Sequence, residues 1–178
     1  MILWLPRLLR KSVLLILFAL WIDAPALAAV EVSFYSRELG GNHFPHAFVH
    51  LTGTDDPSGA RVDETIGFTA TSITPALLWG PVKGEVITEK VSQLARSTRQ
   101  FSVTLTDDQY RAVQNIVADW RNRDQPSYDL NKRNCIHFVA EIAAASGLRV
   151  EYPPKLMKKP RSFLLHVKKL NPLLASAP

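Results

Sequence analysis

The fold is decided by residues 128–142, which read YDLNKRNCIHFVAEI. Asn134 is a favourable N-cap residue, so we expect a helix to begin at Cys135 and to end at Gly147, a typical residue at a helix end. On a helical wheel, Cys135 lies on the apolar side of this helix. That side also carries Phe138, Val139 and Ile142. The sequence therefore predicts a cysteine in the first turn of a helix, facing the protein body.

Cys135 is the only cysteine of the 178-residue chain, which excludes an internal disulfide and a multi-cysteine zinc site. A thiol at a helix start faces unpaired backbone N–H groups and the positive end of the helix dipole. Such a site lowers the thiol pKa from its usual value of about 8.5 and favours the nucleophilic thiolate. Free cysteine is also among the most buried residue types. The sequence therefore allows two interpretations of Cys135: a reactive thiol or an inert core residue.

A nucleophilic thiol needs a base, and the chain has five histidines. His137 lies roughly 160° around the helix from Cys135 and is predicted to be structural. His166 lies in a basic C-terminal tail. Three histidines lie near the predicted strand 46–51, and His46 opens that strand. A histidine at the start of a central strand that faces a helix can approach the thiol, so His46 is a candidate base. The alternative is that His46 is a structural histidine, as most single histidines on strands are.

Apolar patterning predicts five strands, at residues 30–36, 46–51, 62–70, 84–90 and 100–105. Residues 71–83 contain two prolines and a glycine and are expected to form an irregular loop with apolar anchors. Thr106 and Gln109 form a capping box that starts the first of two helices. Because most strands precede the helices, the predicted fold class is α+β, with a largely antiparallel sheet packed against helices.

The composition, 47% apolar and 21% charged, is that of an ordinary globular domain. The net charge of +5 is unevenly distributed. Residues 149–169 hold seven basic residues against one acid, whereas residues 30–148 hold eleven against fourteen. This is not the pattern of a nucleic-acid-binding face. We therefore expect one domain at residues 30–148, a basic tail at 149–178, and no nucleic-acid partner.

Residues 1–28 are predicted to be a signal peptide. Arg7, Arg10 and Lys11 precede an apolar run at residues 13–22, and residues 26–28 read ALA, a small-x-small cleavage site. Cleavage there would give a periplasmic or secreted protein. An uncleaved membrane anchor is the alternative.

The basic tail contains a predicted short helix between Pro160 and Pro172. Its apolar side carries Phe163, Val167 and Leu170. Three interpretations fit this pattern: a helix docked on the domain, binding to an anionic membrane surface, or binding to a partner protein.

The segment YDLNKRNCIHFVAEI resembles the cysteine motif of circularly permuted papain-like thiol hydrolases. These are the permuted NlpC/P60 group, the lecithin:retinol acyltransferase-like proteins and the PPPDE desumoylating peptidases. In these families a tyrosine precedes an Asn-Cys pair that a phenylalanine follows, and the catalytic histidine comes earlier, at a strand start. Here PHAFVHLTG contains His46, 89 residues before Cys135. The resemblance covers residues 43–147 and implies a permuted papain-like (NlpC/P60-type) fold with a Cys135–His46 pair.

These families usually take a third polar residue, which orients the imidazole, from the following strand. Here that strand offers Asp63, Glu64 and Thr65, and Glu64 is preferred. His50 and a bare Cys–His dyad are the alternatives.

The resemblance implies a cysteine peptidase or amidase, in which a thiolate attacks an amide or ester carbonyl to form an acyl-enzyme. We assign the N–H of Cys135, with Tyr128 and Asn134, to the oxyanion and substrate. This chemistry requires no metal and no cofactor.

The expected partner is a peptide or acyl substrate, and the predicted compartment favours cell-wall peptide. One alternative is a lipid acyl hydrolase or acyltransferase at the membrane surface, held there by the basic tail. The other is a catalytically inactive binding module on the same fold.

Overall fold

Five antiparallel strands form one sheet in the computed structural model, which describes residues 30–40, 44–55 and 58–175. The strands are β1 (Glu31–Arg37), β2 (His46–Asp55), β3 (Ala60–Ala70), β4 (Gly84–Thr88) and β5 (Thr98–Thr104). Their order in the sheet is β4-β3-β2-β1-β5, so β2 is the central strand. The predicted α+β class with an antiparallel sheet is confirmed. The predicted signal peptide, residues 1–28, lies outside the described residues.

Four α-helices accompany the sheet in the described part of the chain. They are α1 (Val91–Leu94), α2 (Asp107–Arg121), α3 (Cys135–Ala145) and α4 (Pro160–Leu170), and short 3-10 helices span Pro75–Leu78 and Pro172–Ala175. The capping box predicted at α2 is present, because the Thr106 hydroxyl accepts from the N–H of Gln109 and the Gln109 side chain accepts from the N–H of Thr106. None of the described helices is long and apolar enough to cross a membrane.

The core lies between one face of the sheet and the helices. Successive side chains of a strand point to opposite faces, and in β2 the residues Ala47, Val49 and Leu51 are buried on the helix-packed face. Helix α3 packs against β2 and β3, and α2 packs against α3. The first turn of α3 therefore meets the start of the central strand, where His46 lies.

The basic tail contributes to this same core. The predicted helix is present as α4, which packs against β1 and β5 and buries Phe163, Leu164 and Val167 completely. Burying a side chain of this size stabilises a fold by about 1.5–3 kcal/mol. Membrane insertion of Phe163 and Val167 would require them to be exposed, and the structure instead shows a docked helix.

Candidate active site

Cys135 is the first residue of α3, as the sequence predicts, and Asn134 is its N-cap. The Asn134 amide oxygen accepts from the N–H groups of Ile136, at 2.9 Å, and His137, at 3.4 Å. Its amide nitrogen donates to the carbonyls of Leu130, at 2.9 Å, and Met157, at 2.8 Å. Asn134 thus fixes the helix start and ties it to the tail. Because both amide protons and the oxygen are used in this way, the structure gives Asn134 a positioning role at the helix start.

His137 completes this cap. Its Nδ1 lies 3.2 Å from the backbone nitrogen of Asn134 and 3.1 Å from the side-chain oxygen of the same residue. Burial lowers the pKa of His137, although the charges of Glu141 and Asp129 oppose the shift. The structural role predicted for this histidine is therefore observed.

The Cys135 thiol is buried between the first turn of α3 and the start of β2. Burial by itself would raise the pKa of this thiol. The hydrogen bond and charge of His46, together with hydrogen bonds from the N–H groups of Ala47 and Ile136, outweigh burial and lower the pKa. These interactions therefore favour the thiolate form of Cys135 over the thiol.

The His46 imidazole is buried between this thiol and a carboxylate. Its Nε2 lies 3.2 Å from Oε1 of Glu89, and an imidazole that meets a carboxylate through Nε2 has Nδ1 left for the thiol. Burial would lower the pKa of His46, but hydrogen bonds and charge from Cys135 and Glu89 raise it to about 9. The raised pKa of His46 and the lowered pKa of Cys135 mean that each group favours the charged form of the other.

Glu89, which sequence analysis did not single out, supplies the carboxylate beside His46. It follows β4 directly, is buried, and donates its backbone N–H to the carbonyl of Thr65 at 2.8 Å. Its Oε2 lies 3.8 Å from the Arg37 guanidinium. Glu89 could have been identified from the sequence as an acidic residue at the end of the predicted strand 84–90. This would have required knowing that this strand pairs with β3.

Gly67 of β3 makes the contact between His46 and Glu89 sterically feasible. A Cβ atom built on Gly67 would lie 2.8 Å from Nε2 of His46 and 3.4 Å from Oε1 of Glu89. The first distance is shorter than real Cβ contacts. The histidine and the glutamate thus meet over a position that has no room for a side chain.

Glu64, His50 and Asp63, which were also considered as the third catalytic residue, lie elsewhere. Glu64 is exposed and pairs with Leu51, five residues along β2 from His46, which corresponds to about 17 Å. Its charge acts on Tyr110. His50 and Asp63 pair with each other, with 3.0 Å between Nε2 and Oδ1. The carboxylate that faces the imidazole is Glu89, and Glu64 does not reach it.

Tyr128, which the sequence analysis assigned to the oxyanion and substrate, lies close enough to Cys135 for the charge of the thiolate to act on it. Its ring stacks on Phe68 at 5.5 Å, and its backbone pairs with Val82. Burial and the negative charge of Cys135 both raise the pKa of Tyr128. Its hydroxyl therefore stays protonated and can donate a hydrogen bond to an oxyanion.

A groove of about 570 Å³ leads to Cys135 and His46. Tyr128 and Glu89 also line it. Its other walls are mainly apolar, from Phe44, Ile73, Leu77, Leu78, Ile87 and Leu130. In the part of the chain that the structure describes, no three His, Cys, Asp or Glu side chains cluster closely enough to hold a metal ion.

Comparison with known proteins gives one likeness of fold. No protein-family model matches this chain, and no curated protein matches it. The crystal structure of the type VI secretion system effector TseH is similar, with a TM-score of 0.53 and 15% sequence identity over 82% of this chain and 90% of TseH. At this identity the likeness shows a related fold alone.

Proposed function

We propose that this chain is a cysteine hydrolase that cleaves an amide or ester bond through an acyl-enzyme on Cys135. The observation that carries the proposal is the His46 imidazole, which lies between the Cys135 thiol and the Glu89 carboxylate at the end of the groove. The order of His46 before Cys135 supports a circularly permuted papain-like hydrolase. The likeness to TseH supports a related fold and does not bear on the permuted order.

The reaction begins with attack of the Cys135 thiolate on a carbonyl carbon, so that an S–C bond forms. The backbone N–H of Cys135, in the first turn where N–H groups have no helical partner, and the Tyr128 hydroxyl are the donors that we assign to the oxyanion. The tetrahedral intermediate collapses with cleavage of the C–N or C–O bond. Protonated His46 gives its proton to the leaving group.

Deacylation reverses these roles. Neutral His46 takes a proton from water, the resulting hydroxide attacks the thioester carbonyl, and the thiolate leaves. Glu89 keeps the imidazole oriented in both steps and stabilises its charged form. All steps of this reaction use only side chains and backbone groups of this chain, together with water.

The two pKa shifts set the pH range of this chemistry. The pKa of Cys135 is lowered, so the thiolate is present above that value and is lost as the pH falls through it. The pKa of His46 is raised to about 9, so the proton donor is present below that pH and is lost as the pH rises through it. Activity should therefore be bell-shaped, with its alkaline limb near pH 9.

Intact mass spectrometry with an activated ester tests the proposal. After mixing with p-nitrophenyl acetate we expect one acetyl group on Cys135, with release of p-nitrophenolate, and no such adduct on Cys135→Ala. Slow loss of the acetyl group would show hydrolysis by water. A chain that acquires no adduct on Cys135 would be an inactive binding module on this fold.

We further propose that the enzyme is exported and acts outside the cytoplasm. The basic, apolar and small-residue regions of residues 1–28 support this. N-terminal sequencing of the exported protein should begin at Ala29, and a sequence that begins at Met1 would contradict export by cleavage. Cell-wall peptide, the substrate expected from that compartment, stays a prediction.

A further inference from the structure

Arg37, at the end of β1, lies beside the Glu89 carboxylate. In the register of the sheet Arg37 pairs with His46, so both side chains start at the same end of the sheet. Its Nη1 lies 3.8 Å from Oε2 of Glu89, while Oε1 of Glu89 lies 3.2 Å from Nε2 of His46. The Arg37 and Glu89 side chains are only 15% and 6% exposed. The carboxylate therefore has a basic group near each of its two oxygens, which offsets part of the cost of burying its charge.

The same guanidinium is fixed by the helix that follows Glu89. Its Nη1 donates to Oε1 of Gln93 at 2.7 Å, and Gln93 lies in α1, whose N-cap is Lys90. Arg37 thus contacts one side chain before the start of α1 and one within it. The backbone N–H of Glu89 binds to β3, and Arg37 adds a contact from β1 to the side chain of the same residue.

Arg37, Glu89, His46 and Cys135 form a row in which positive and negative groups alternate. Arg37 from β1 and His46 from β2 face the Glu89 carboxylate, and Lys90, the next residue in the chain, is exposed. A guanidinium stays charged throughout the pH range in which a protein is folded. An opposite charge within about 4–6 Å favours the ionised form of an acid by about 1–3 pKa units. Loss of Arg37 should therefore favour uptake of a proton by the carboxylate, which removes the negative charge that faces His46.

We propose that Arg37 is a positioning residue, which holds Glu89 as a carboxylate turned toward His46 and, through Glu89, keeps Cys135 a thiolate at low pH. This role rests on the proposed function, in which Glu89 orients the imidazole. Arg37 acts through the carboxylate, and it takes no part in the attack by the thiolate or in the transfer of the proton.

The pH profile of Cys135 alkylation by iodoacetamide tests this role, because the rate follows the thiolate fraction. In Arg37→Met, the pH at which the rate falls to half of its plateau on acidification should rise by about 1 unit or more. Arg37→Lys, which keeps the charge, should show a smaller rise. Arg61→Met is the matched control, since Arg61 lies 3.9 Å from Asp63 but is 86% exposed, and its half-point should not move. An unmoved half-point in folded Arg37→Met, even with a lower plateau, or equal shifts in Arg37→Met and Arg61→Met would overturn the proposal.

A double substitution tests whether Arg37 acts through Glu89. In the Glu89→Gln background, Arg37→Met should not move the half-point further, because no carboxylate remains to be held. A further shift as large as that in the unchanged protein would mean that Arg37 acts on the thiolate directly, and would overturn the positioning role. Gln93→Ala keeps the charge of Arg37 and removes its acceptor, so it should move the half-point in the same direction by less. If thermal denaturation shows that Arg37→Met is unfolded, an unmoved half-point in Gln93→Ala would overturn the proposal.

Alkylation does not depend on acylation, so the two proposals can fail separately. If Arg37→Met shifts the half-point but p-nitrophenyl acetate leaves no adduct on Cys135, the proposed function fails and the effect of Arg37 on the thiolate stands. If the adduct forms and the half-point does not move, the proposed function stands and the role of Arg37 fails.

Discussion

Replacement of the buried carboxylate beside His46 is the most informative single perturbation of the site. Glu89→Gln keeps the shape of the side chain and removes its charge, 3.2 Å from Nε2 of His46. At an effective dielectric constant of about 20, two unit charges at this distance attract each other by about 5 kcal/mol, which is a ceiling because burial opposes both charges. An opposite charge this close shifts a pKa by about 1–3 units.

The expected result follows from that shift. The pKa of His46, raised to about 9 in the unchanged protein, should fall by about 1–3 units in Glu89→Gln. Each unit changes the ratio of the ion pair to the neutral pair tenfold. We therefore expect alkylation of Cys135 by iodoacetamide at pH 6 to slow by about tenfold or more.

Glu64→Gln is the matched control, since Glu64 is an exposed carboxylate on β3 that does not face the imidazole. Its alkylation rate should equal that of the unchanged protein. Thermal denaturation of both variants shows whether they are folded at the assay temperature. An unchanged rate in folded Glu89→Gln, or the same decrease in both variants, would refute the role assigned to Glu89.

Three further substitutions test other parts of the site and fold. His46→Ala should slow alkylation of Cys135 at pH 6 at least about tenfold, because it removes the cation that favours the thiolate. His137→Ala should leave the rate unchanged, because it alters only the helix cap. Equal effects of the two substitutions would mean that the base is misassigned. Gly67→Ala should slow the same reaction because its Cβ would push the imidazole away from the carboxylate, whereas Gly80→Ala, where a Cβ meets nothing within 4 Å, should not. Phe163→Ala should lower the free energy of unfolding by about 3–5 kcal/mol in urea titrations, and a loss below about 1 kcal/mol would contradict a core role for the tail.

Patterns of a few consecutive residues predicted those parts of the site whose positions depend on residues close in sequence. Asn134 is an N-cap by its own chemistry, so the place of Cys135 in the first turn of its helix could be read from the sequence. His46 was a candidate because a strand start and a helix start are both visible as patterns, and the resemblance to permuted thiol hydrolases then assigned it. The apolar face of Pro160–Leu170 predicted a helix, but only packing shows that it docks on β1 and β5.

Glu89 could not be assigned because its position depends on long-range register. It reaches His46 only because β4 pairs with β3, β3 pairs with β2, and Gly67 leaves space between the two side chains. A shift of one residue in either pairing would move these side chains to opposite faces. The four-residue helix Val91–Leu94 is similarly too short to have a periodic signal.

The central claim is that His46 holds Cys135 as a thiolate, and the pH dependence of Cys135 alkylation tests it most directly. Iodoacetamide reacts with the thiolate, so the rate follows the thiolate fraction. Since the pKa of Cys135 is lowered and that of His46 is raised to about 9, the rate should already be high at about pH 6 and change little up to about pH 8. A rate that is negligible at about pH 6 and rises only near the pKa of a free thiol, about 8.5, would contradict the ion pair and with it the proposed hydrolase.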